Sequence, residues 1–279
     1  VIDQIARLVS QCSEHSKHRV SAVGIGFPGP LNAEEGFILS PPNLPALKQT
    51  PLKKMLEKRL RLPVFVENDA NAAALGEYRF GVGKGAHSLV CLTLGTGVGG
   101  GIILNGNIWH GAGGVAGEAG HIKVVPGGRK CGCGGRGCLE QYASATGLVR
   151  TAKDRLRKNR KSLILKLAGG KPAGITALTI FRAAGRGDAL AVEVLRGAAG
   201  MLALAIANIL SFLNPEIVVI GGGLANAGKY LFQPLRRQVG LQTLPDARKN
   251  VKVVKGKLGD RAGILGAAAV AFSRLKISK

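Results

Sequence analysis

Acidic residues are scarce in this chain of 279 residues. Its 16 Asp and Glu are outnumbered by 39 Lys and Arg, which leaves a formal net charge of +23. Such a charge is typical of proteins that bind nucleic acid, a membrane surface or a polyanionic substrate, and it also occurs throughout basic proteomes. Because 46% of the residues are hydrophobic, the composition excludes a disordered basic protein, which could not bury enough apolar surface to fold.

The sequence also lacks the features of a secreted or membrane-spanning protein. It opens Val1-Ile2-Asp3-Gln4, without a positively charged segment or a cleavage site, so no signal peptide is visible. The longest run without a charge covers residues 197–215, where Asn208 and Asn214 favour a buried core helix over a membrane span. We therefore expect a soluble, cytoplasmic protein of one large or two medium domains.

Cysteines are few, and their spacing argues against a disulfide framework. Three of the five fall within eight residues, at Cys131, Cys133 and Cys138. Three thiolates on one loop can surround a tetrahedral metal ion, and His121 is the candidate fourth ligand. Four protein ligands leave no position for a catalytic water, so we expect a structural metal in a reducing compartment. The alternative is a flexible loop of three reduced cysteines, which would oxidise readily.

Strands and helices alternate along the chain. Strands are predicted at residues 20–27, 64–66, 88–94, 102–104 and 216–220, and helices at 1–18, 52–60, 70–78 and 263–275. Such alternation is typical of an α/β protein with a mainly parallel sheet, in which ligands bind beyond the carboxyl ends of the strands. Two such units, joined near residues 70–90, would leave a cleft between them.

Two glycine-rich segments follow predicted strands. Residues 95–101 contain a GxGxxG pattern, but a strand and an Asn-Gly turn follow it, so it joins two antiparallel strands and is no dinucleotide fingerprint. The backbone N–H groups of residues 95–101 could still bind a phosphate, because no side chains shield them at the glycines. Residues 221–223 are three glycines between a strand and a helix, where the phosphates or adenosine of a nucleotide would bind. Tight turns without a ligand are the alternative for both segments.

Carboxylates beside these features suit the recognition of a sugar. Glu118 precedes His121, and Glu140 follows the last cysteine of the loop by two residues. A bound metal would therefore hold two carboxylates and an imidazole in fixed positions, where they can accept hydrogen bonds from hydroxyl groups. Asn68 and Asp69 end a predicted strand. Asp69 is a candidate base, and it is equally a candidate N-cap of the helix that follows.

These motifs together resemble the ROK family of repressors and sugar kinases, within the hexokinase–actin superfamily. The resemblance covers residues 20–275 and rests on residues 67–72, 94–101, 118–121 and 131–140, the last with the CxCGxxGCxE spacing of the family. It implies an α/β, two-domain actin-like ATPase fold of the ribonuclease H-like type, with a cleft between domains. The domains would be residues 1–74 with 263–279, and residues 75–262.

The resemblance also implies a role for each motif. Asp69 would be the general base that takes a proton from the attacking sugar hydroxyl. The other hydroxyls would be held by Asn43, Asn68, Glu118, His121 and Glu140. A structural Zn²⁺ would be bound by His121, Cys131, Cys133 and Cys138, so that His121 uses one ring nitrogen for the metal and one for the sugar. ATP, with catalytic Mg²⁺, would place its phosphates on Gly95, Thr96 and Gly97 and its nucleoside on Gly221, Gly222 and Gly223.

Other expectations concern the substrate and the chain itself. Asn43-Leu44-Pro45 matches the glucokinase branch, which favours glucose, whereas Ala46-Leu47 stands where that branch usually has a Gly-Trp pair. The family's N-terminal strand pair with its DxGGT-type phosphate loop is not seen ahead of Val1, so we expect a polypeptide that starts at Val1 to be poorly active. A homodimer is usual in proteins of this kind.

The leading hypothesis is an ATP-dependent hexose kinase that converts glucose to glucose 6-phosphate, with no membrane or nucleic acid as partner. One alternative is the core of a sugar-responsive repressor, which needs an N-terminal helix-turn-helix. Another is a polyphosphate-dependent glucokinase, with Arg129, Lys130, Arg136 and the basic run 153–161 as candidate contacts. A solvated helix face is the simpler interpretation of that run.

Overall fold

The computed structural model describes residues 1–41, 44–158 and 161–275. The helices of these residues are α1 (Ile2–His15), α2 (Leu52–Leu60), α3 (Asp69–Phe80), α4 (Glu140–Ala143), α5 (Ala145–Lys158), α6 (Leu163–Leu167), α7 (Ala177–Gly185), α8 (Ala189–Leu213), α9 (Lys229–Gln242), α10 (Pro245–Arg248) and α11 (Arg261–Arg274). The strands are β1 (Val23–Phe27), β2 (Leu31–Asn32), β3 (Phe37–Ile38), β4 (Val64–Asn68), β5 (Ser88–Leu94), β6 (Val98–Leu104), β7 (Asn107–Ile108), β8 (Ile217–Gly221) and β9 (Lys252–Lys255). The predicted α/β class is confirmed.

Local signals in the sequence determine several of these bounds. α2 and β5 begin and end at the predicted residues. Asn105 and Gly106 both have positive φ, of 49° and 78°, and they form the predicted turn between β6 and β7. Such a turn matches the right-handed twist of the strands that it joins, which is why an Asn-Gly pair selects it.

The described chain divides into two compact units. Unit 1 contains residues 1–91, 101–117 and 257–279, and unit 2 contains residues 92–100 and 118–256. The predicted domains, 1–74 with 263–279 and 75–262, stay a prediction; they divide the chain within α3, which lies wholly in unit 1.

Unit 1 is built on the parallel pair β1 and β4, in which Val23 lies opposite Val64 and Phe27 opposite Asn68. Helix α11 packs against α3 and against both strands. A second core lies between α2 and these strands, where apolar side chains bury themselves against one another: Phe27, Leu31, Ile38, Leu47, Leu52, Leu56, Val64 and Val66. This packing holds the carboxyl end of β4 and the start of α3 in place.

A five-stranded sheet has the order β7-β6-β5-β8-β9. Along the chain, β5 and β6 each contribute residues to both units. The loop between β5 and β6 is only residues 95–97. The GxGxxG pattern therefore joins two strands rather than opening a helix, as predicted.

Unit 2 has α8 as its central helix, packed against α4, α5, α7 and α9. Within the part of the chain that the structure describes, it is the one helix long and apolar enough to cross a membrane, and half of that apolar window is buried. Asp188 caps its first turn by accepting a hydrogen bond from the N–H of Ala191. Its buried Leu195, Leu202 and Leu210 identify it as the core helix predicted over residues 197–215.

Candidate active site

The candidate base lies in unit 1, where β4 passes directly into α3. Asn68 is the N-cap of α3, and its Oδ1 accepts hydrogen bonds from the N–H groups of Ala70 and Asn71 at 2.9 and 3.1 Å. Asp69 is the first helical residue, so the capping role considered for it belongs to its neighbour. The carboxylate of Asp69 accepts a hydrogen bond from the N–H of Ala70 at 2.8 Å.

The environment of Asp69 favours a basic carboxylate. The residue is exposed, yet partial burial of its carboxyl group raises its pKa above the ordinary 3.8, and the backbone hydrogen bond from Ala70 only partly opposes that rise. A higher pKa makes a carboxylate a better proton acceptor. An exposed, more basic carboxylate at a strand end is suited to deprotonate a bound hydroxyl.

The predicted metal ligands come together in unit 2. One ligand atom each from His121, Cys131, Cys133 and Cys138 lies within 4.8 Å of all the others. The Sγ atoms of Cys133 and Cys138 are 3.7 Å apart, and Cys131 Sγ is 3.7 Å from His121 Nδ1. A tetrahedral zinc with Zn–S bonds of about 2.3 Å has sulfur–sulfur edges of about 3.8 Å. The donor set and its spacing therefore fit a four-coordinate ion.

Turns of the backbone bring the three sulfurs together. Cys131 donates its N–H to the carbonyl oxygen of Gly135 at 2.9 Å, and Gly134 donates to Cys131 at 3.1 Å. Gly134 and Gly137 have positive φ, of 86° and 73°. A side chain at Gly137 would also overlap the carbonyl of Val125. Glycine at positions 134 and 137 is therefore required for the loop to close on itself.

His121 directs its two ring nitrogens to different partners. Nδ1 faces the sulfur cluster, whereas Nε2 lies 3.8 Å from Oε2 of Glu118. A metal bound through Nδ1 would leave the proton on Nε2, which could then donate a hydrogen bond. The imidazole thus links the cluster to a half-exposed carboxylate.

Lys123 is a member of this cluster that sequence reasoning missed. Its Nζ lies 2.8 Å from Sγ of Cys138, and this hydrogen bond raises the pKa of the lysine. A cation beside the thiolates offsets the negative charge that three of them would carry around a divalent ion. Its position between Ile122 and Val124, outside the CxCGxxGCxE spacing, explains why the motif did not reveal it.

Glu140 connects the cysteine loop to the glycine loop. It begins α4, two residues after Cys138, and its Oε2 accepts a hydrogen bond from the N–H of Val98 at 3.1 Å. Gly97 is adjacent to that carboxylate, since a Cβ on it would overlap the same oxygen. Gly120 is similarly close, since a Cβ on it would overlap the carbonyl oxygen of Val98. Three predicted motifs therefore meet around Val98.

The glycine loop is also tied to α5. The N–H of Ala145 donates to the carbonyl oxygen of Gly95, and the hydroxyl of Thr146 donates to that of Thr96, both at 2.9 Å. These bonds use carbonyl groups, so the loop is held from one side by its acceptors. The N–H of Gly95 is used within the loop, since it donates to the carbonyl oxygen of Gly97 at 3.0 Å. An anion nest would therefore be formed by the N–H groups of Thr96 and Gly97.

The second glycine segment lies beside the end of β5. Gly222 has a φ of 78°, and a side chain there would overlap the carbonyl of Leu94, the last residue of β5. Gly221 ends β8, the strand next to β5 in the sheet. The two glycine segments therefore follow neighbouring strands and lie close to one another, as a shared nucleotide site would need.

Three sequence predictions need separate mention. Asn43 lies outside the described residues, as does part of the run 153–161. The guanidinium of Arg129 donates to Gln141 O, Thr151 Oγ1 and Asp154 Oδ2 at 2.8–3.1 Å and stacks over Tyr142. These contacts connect the cysteine loop to α4 and α5, and the suggested contact of Arg129 with a polyanion stays a prediction.

Known proteins match this chain over nearly its whole length. The ROK family model matches residues 1–274. The glucokinase of Thermotoga maritima is 42% identical over 275 residues, which cover 99% of this chain and 86% of the relative. The xylose repressor of Caldicellulosiruptor bescii is 32% identical, with 98% of this chain matched to 67% of the repressor.

A solved structure agrees with these matches. The ROK family glucokinase of Streptomyces griseus, crystallised with glucose and AMPPNP, superposes with a TM-score of 0.87 at 41% identity. The match covers 98% of this chain and 87% of that one. With a family model that spans nearly the whole sequence, and a relative that is 42% identical over 275 residues, this chain belongs to the ROK family.

Proposed function

We propose that this protein is a glucokinase, which transfers the γ-phosphoryl group of ATP to a hydroxyl of glucose and forms glucose 6-phosphate. The observation that carries the proposal is the match to the Streptomyces griseus glucokinase, whose crystals contain glucose and AMPPNP. The Thermotoga maritima glucokinase, at 42% identity over almost the whole chain, supports the same activity.

Asp69 is the proposed general base. Phosphoryl transfer depends mainly on alignment and on neutralisation of charge, so the base has only to orient and deprotonate the attacking hydroxyl. The exposure of Asp69 and its raised pKa support this role. Asn43, Asn68, Glu118, His121 and Glu140 are proposed to hold the remaining hydroxyl groups of the sugar.

The donor is proposed to bind at the two glycine segments. Gly95, Thr96 and Gly97 would meet its phosphates, and Gly221, Gly222 and Gly223 its nucleoside. The closeness of Gly222 to the end of β5 supports a single site for both parts. Mg²⁺, bound to the donor, would offset the negative charge of the phosphates.

Zinc is the proposed ion of the Cys131, Cys133, Cys138 and His121 cluster. Four protein ligands complete its coordination, so its role is structural. It would fix the loop that ends in Glu140 and the ring of His121, and both side chains would then keep their positions toward the sugar. A homodimer and a cytoplasmic location belong to the same proposal.

The kinase is favoured over the repressor by the extent of the matches. The glucokinase relative is 42% identical and is matched over 86% of its length, against 32% and 67% for the xylose repressor. Arg129, one of the contacts suggested for polyphosphate, is hydrogen-bonded to Asp154 within unit 2. The polyphosphate donor stays an alternative to ATP for the assay to examine.

A coupled assay of the full-length protein tests the proposal. Glucose, mannose, fructose, allose and N-acetylmannosamine are compared, each with ATP and with polyphosphate, and glucose with ATP is expected to give the highest kcat/KM. Asp69→Asn should lower kcat at least about a hundredfold by removing the base. Asp260→Asn is the matched control, since Asp260 is an exposed residue at the N-terminus of α11. Absence of turnover on every sugar, with native Asp69, would refute the kinase.

A further inference from the structure

A buried carboxylate lies directly before the candidate base. Glu67 is the residue of β4 that precedes Asn68 and Asp69, and it has no exposed surface. Removing a carboxylate from water strongly destabilises the folded protein unless other groups donate hydrogen bonds to the carboxylate and neutralise its charge. The mechanism proposed above gives this residue no role, and its neighbours show what it does.

Both oxygens of Glu67 are fully engaged. Oε1 accepts the N–H of Asn68 at 3.0 Å and the side-chain amide of Asn71 at 3.1 Å. Oε2 lies 2.9 Å from Nε2 of His110 and 3.2 Å from the guanidinium of Arg274. Burial alone would raise the pKa of Glu67, but these partners, His110 foremost, lower it below the ordinary value. The side chain is therefore an ionised acceptor, and each of its four partners is a donor.

The four donors come from different parts of unit 1. Asn68 belongs to β4 and Asn71 to α3, whereas His110 follows β7 and Arg274 ends α11. Arg274 is itself anchored, because it also donates to the carbonyl oxygen of Ala33 at 2.8 Å. Glu67 thus ties the junction of β4 and α3 to two distant segments of the chain.

The contacts of Asn68 transmit this restraint to the base. Glu67 binds the backbone N–H of Asn68, and the side chain of Asn68 in turn caps α3 through Ala70 and Asn71. Hydrogen bonds therefore hold the peptide group that precedes Asn68 and the one that follows Asp69. A shift of about 1 Å in a reacting group can reduce catalysis a hundredfold, so this restraint bears directly on Asp69.

We propose that Glu67, held by His110 and Arg274, is a positioning residue that fixes the orientation of Asn68 and Asp69 toward the sugar. The proposal rests on the proposed kinase function for its catalytic consequence, but its structural consequence is independent of activity. It predicts that loss of the charge at Glu67 loosens the start of α3 without affecting the donor site.

Glu67→Gln is the primary test, in the full-length protein. The variant keeps the shape of the side chain and an acceptor for Asn68, but it turns an NH₂ group toward the guanidinium of Arg274. We expect kcat to fall about ten- to a hundredfold and KM for glucose to rise, while KM for ATP stays within about twofold. A loss of folded protein alone would lower the apparent kcat and leave every KM unchanged.

Glu77→Gln is the matched control. Glu77 lies in α3, the helix that Asp69 begins, and is 1% exposed, and its carboxylate accepts hydrogen bonds from the N–H groups of Val82 and Leu258 at 3.2 and 2.8 Å. Its substitution removes an equally buried charge from α3, away from Asp69. We expect lower stability with unchanged kcat and KM per folded molecule. Equal kinetic losses in both variants would overturn the proposal.

Hydrogen exchange provides the readout that needs no activity. Glu67→Gln should accelerate exchange of the amides of Asn68, Ala70 and Asn71, whereas Glu77→Gln should accelerate exchange at Val82 and Leu258 instead. His110→Gln, on a half-buried side chain, should shift the first group of amides in the same direction but less. If exchange at residues 68–71 is unchanged in Glu67→Gln, the positioning role is wrong. If the native protein phosphorylates no hexose, the kinase is refuted, and these exchange rates alone decide the role of Glu67.

Discussion

Gly266→Ala should destabilise unit 1, because the added methyl group would force α11 and α3 apart. The two helices are packed so closely that a Cβ at Gly266 would overlap the carbonyl group of Ala72 and lie 3.1 Å from its Cα. The approach is mutual, because a Cβ at Gly76 would overlap the carbonyl oxygen of Ala262 and lie 3.1 Å from the backbone nitrogen of Gly266. Backbone atoms cannot rotate aside as a side chain can, so one added methyl group requires the helices to separate.

The magnitude follows from the cost of overpacking. An inserted methyl group in a well-packed core costs about 1–3 kcal/mol, and we expect a loss of about 3 kcal/mol since the obstacle is a peptide group. With a urea dependence of about 2 kcal/mol per molar, the unfolding midpoint should fall by about 1.5 M. Trp109, the single tryptophan, belongs to unit 1, so its fluorescence reports the unfolding of that unit.

Gly263→Ala, in the same helix, is the control for this measurement. Nothing lies within 4 Å of a Cβ at that position. The substitution should leave stability unchanged or raise it by up to about 1 kcal/mol, because alanine favours the helix more than glycine does. If Gly266→Ala unfolds within about 0.5 M of the native protein, or if both variants lose stability equally, the inferred contact between the helix backbones is wrong.

Three further predictions concern the site. Because its base must be ionised and the pKa of Asp69 is raised above 3.8, kcat/KM should fall as the pH drops through that raised value; a pH–rate profile with its acid midpoint at or below 3.8 would contradict this. Cys133→Ser should abolish the one zinc per chain expected by elemental analysis and raise KM for glucose about tenfold, whereas Cys12→Ser, at an exposed cysteine, should change neither; a native protein purified without metal would count against zinc. Gly120→Ala should lower stability by about 1–3 kcal/mol, because its methyl group would overlap the backbone carbonyl oxygen of Val98, whereas Gly95→Ala meets nothing within 4 Å; equal melting temperatures would disprove the contact.

Features set by neighbouring residues were predictable from the sequence. The turn at Asn105-Gly106 and the bounds of α2 depend on the conformational preferences of a few adjacent residues. The spacing of Cys131, Cys133 and Cys138 depends on a single loop, so the motif alone predicted the cluster that the structure assembles. His121 was predicted for the same reason, since it lies ten residues from the first cysteine.

Features that join distant residues were not predictable. His110 is 43 residues and Arg274 is 207 residues from Glu67 along the chain, and no local sequence pattern predicts either contact. The internal partners of Arg129 on α4 and α5 were not predicted either, because they become neighbours only after folding. The hydrogen bond between Glu140 and Val98 likewise joins motifs 42 residues apart, which the sequence predicted separately and could not connect.

The sequence by itself determined the kind of chemistry available: the metal ligands, the glycine segments, the carboxylate at a strand end and the alternation of strands and helices. These depend on residue type and short spacing, which the backbone converts into structure locally. Only the tertiary structure decided which charged side chains have partners within the protein, and which groups hold Asp69 in place. Such choices depend on burial, because a charge removed from water must find its partners wherever the packing of the chain brings them.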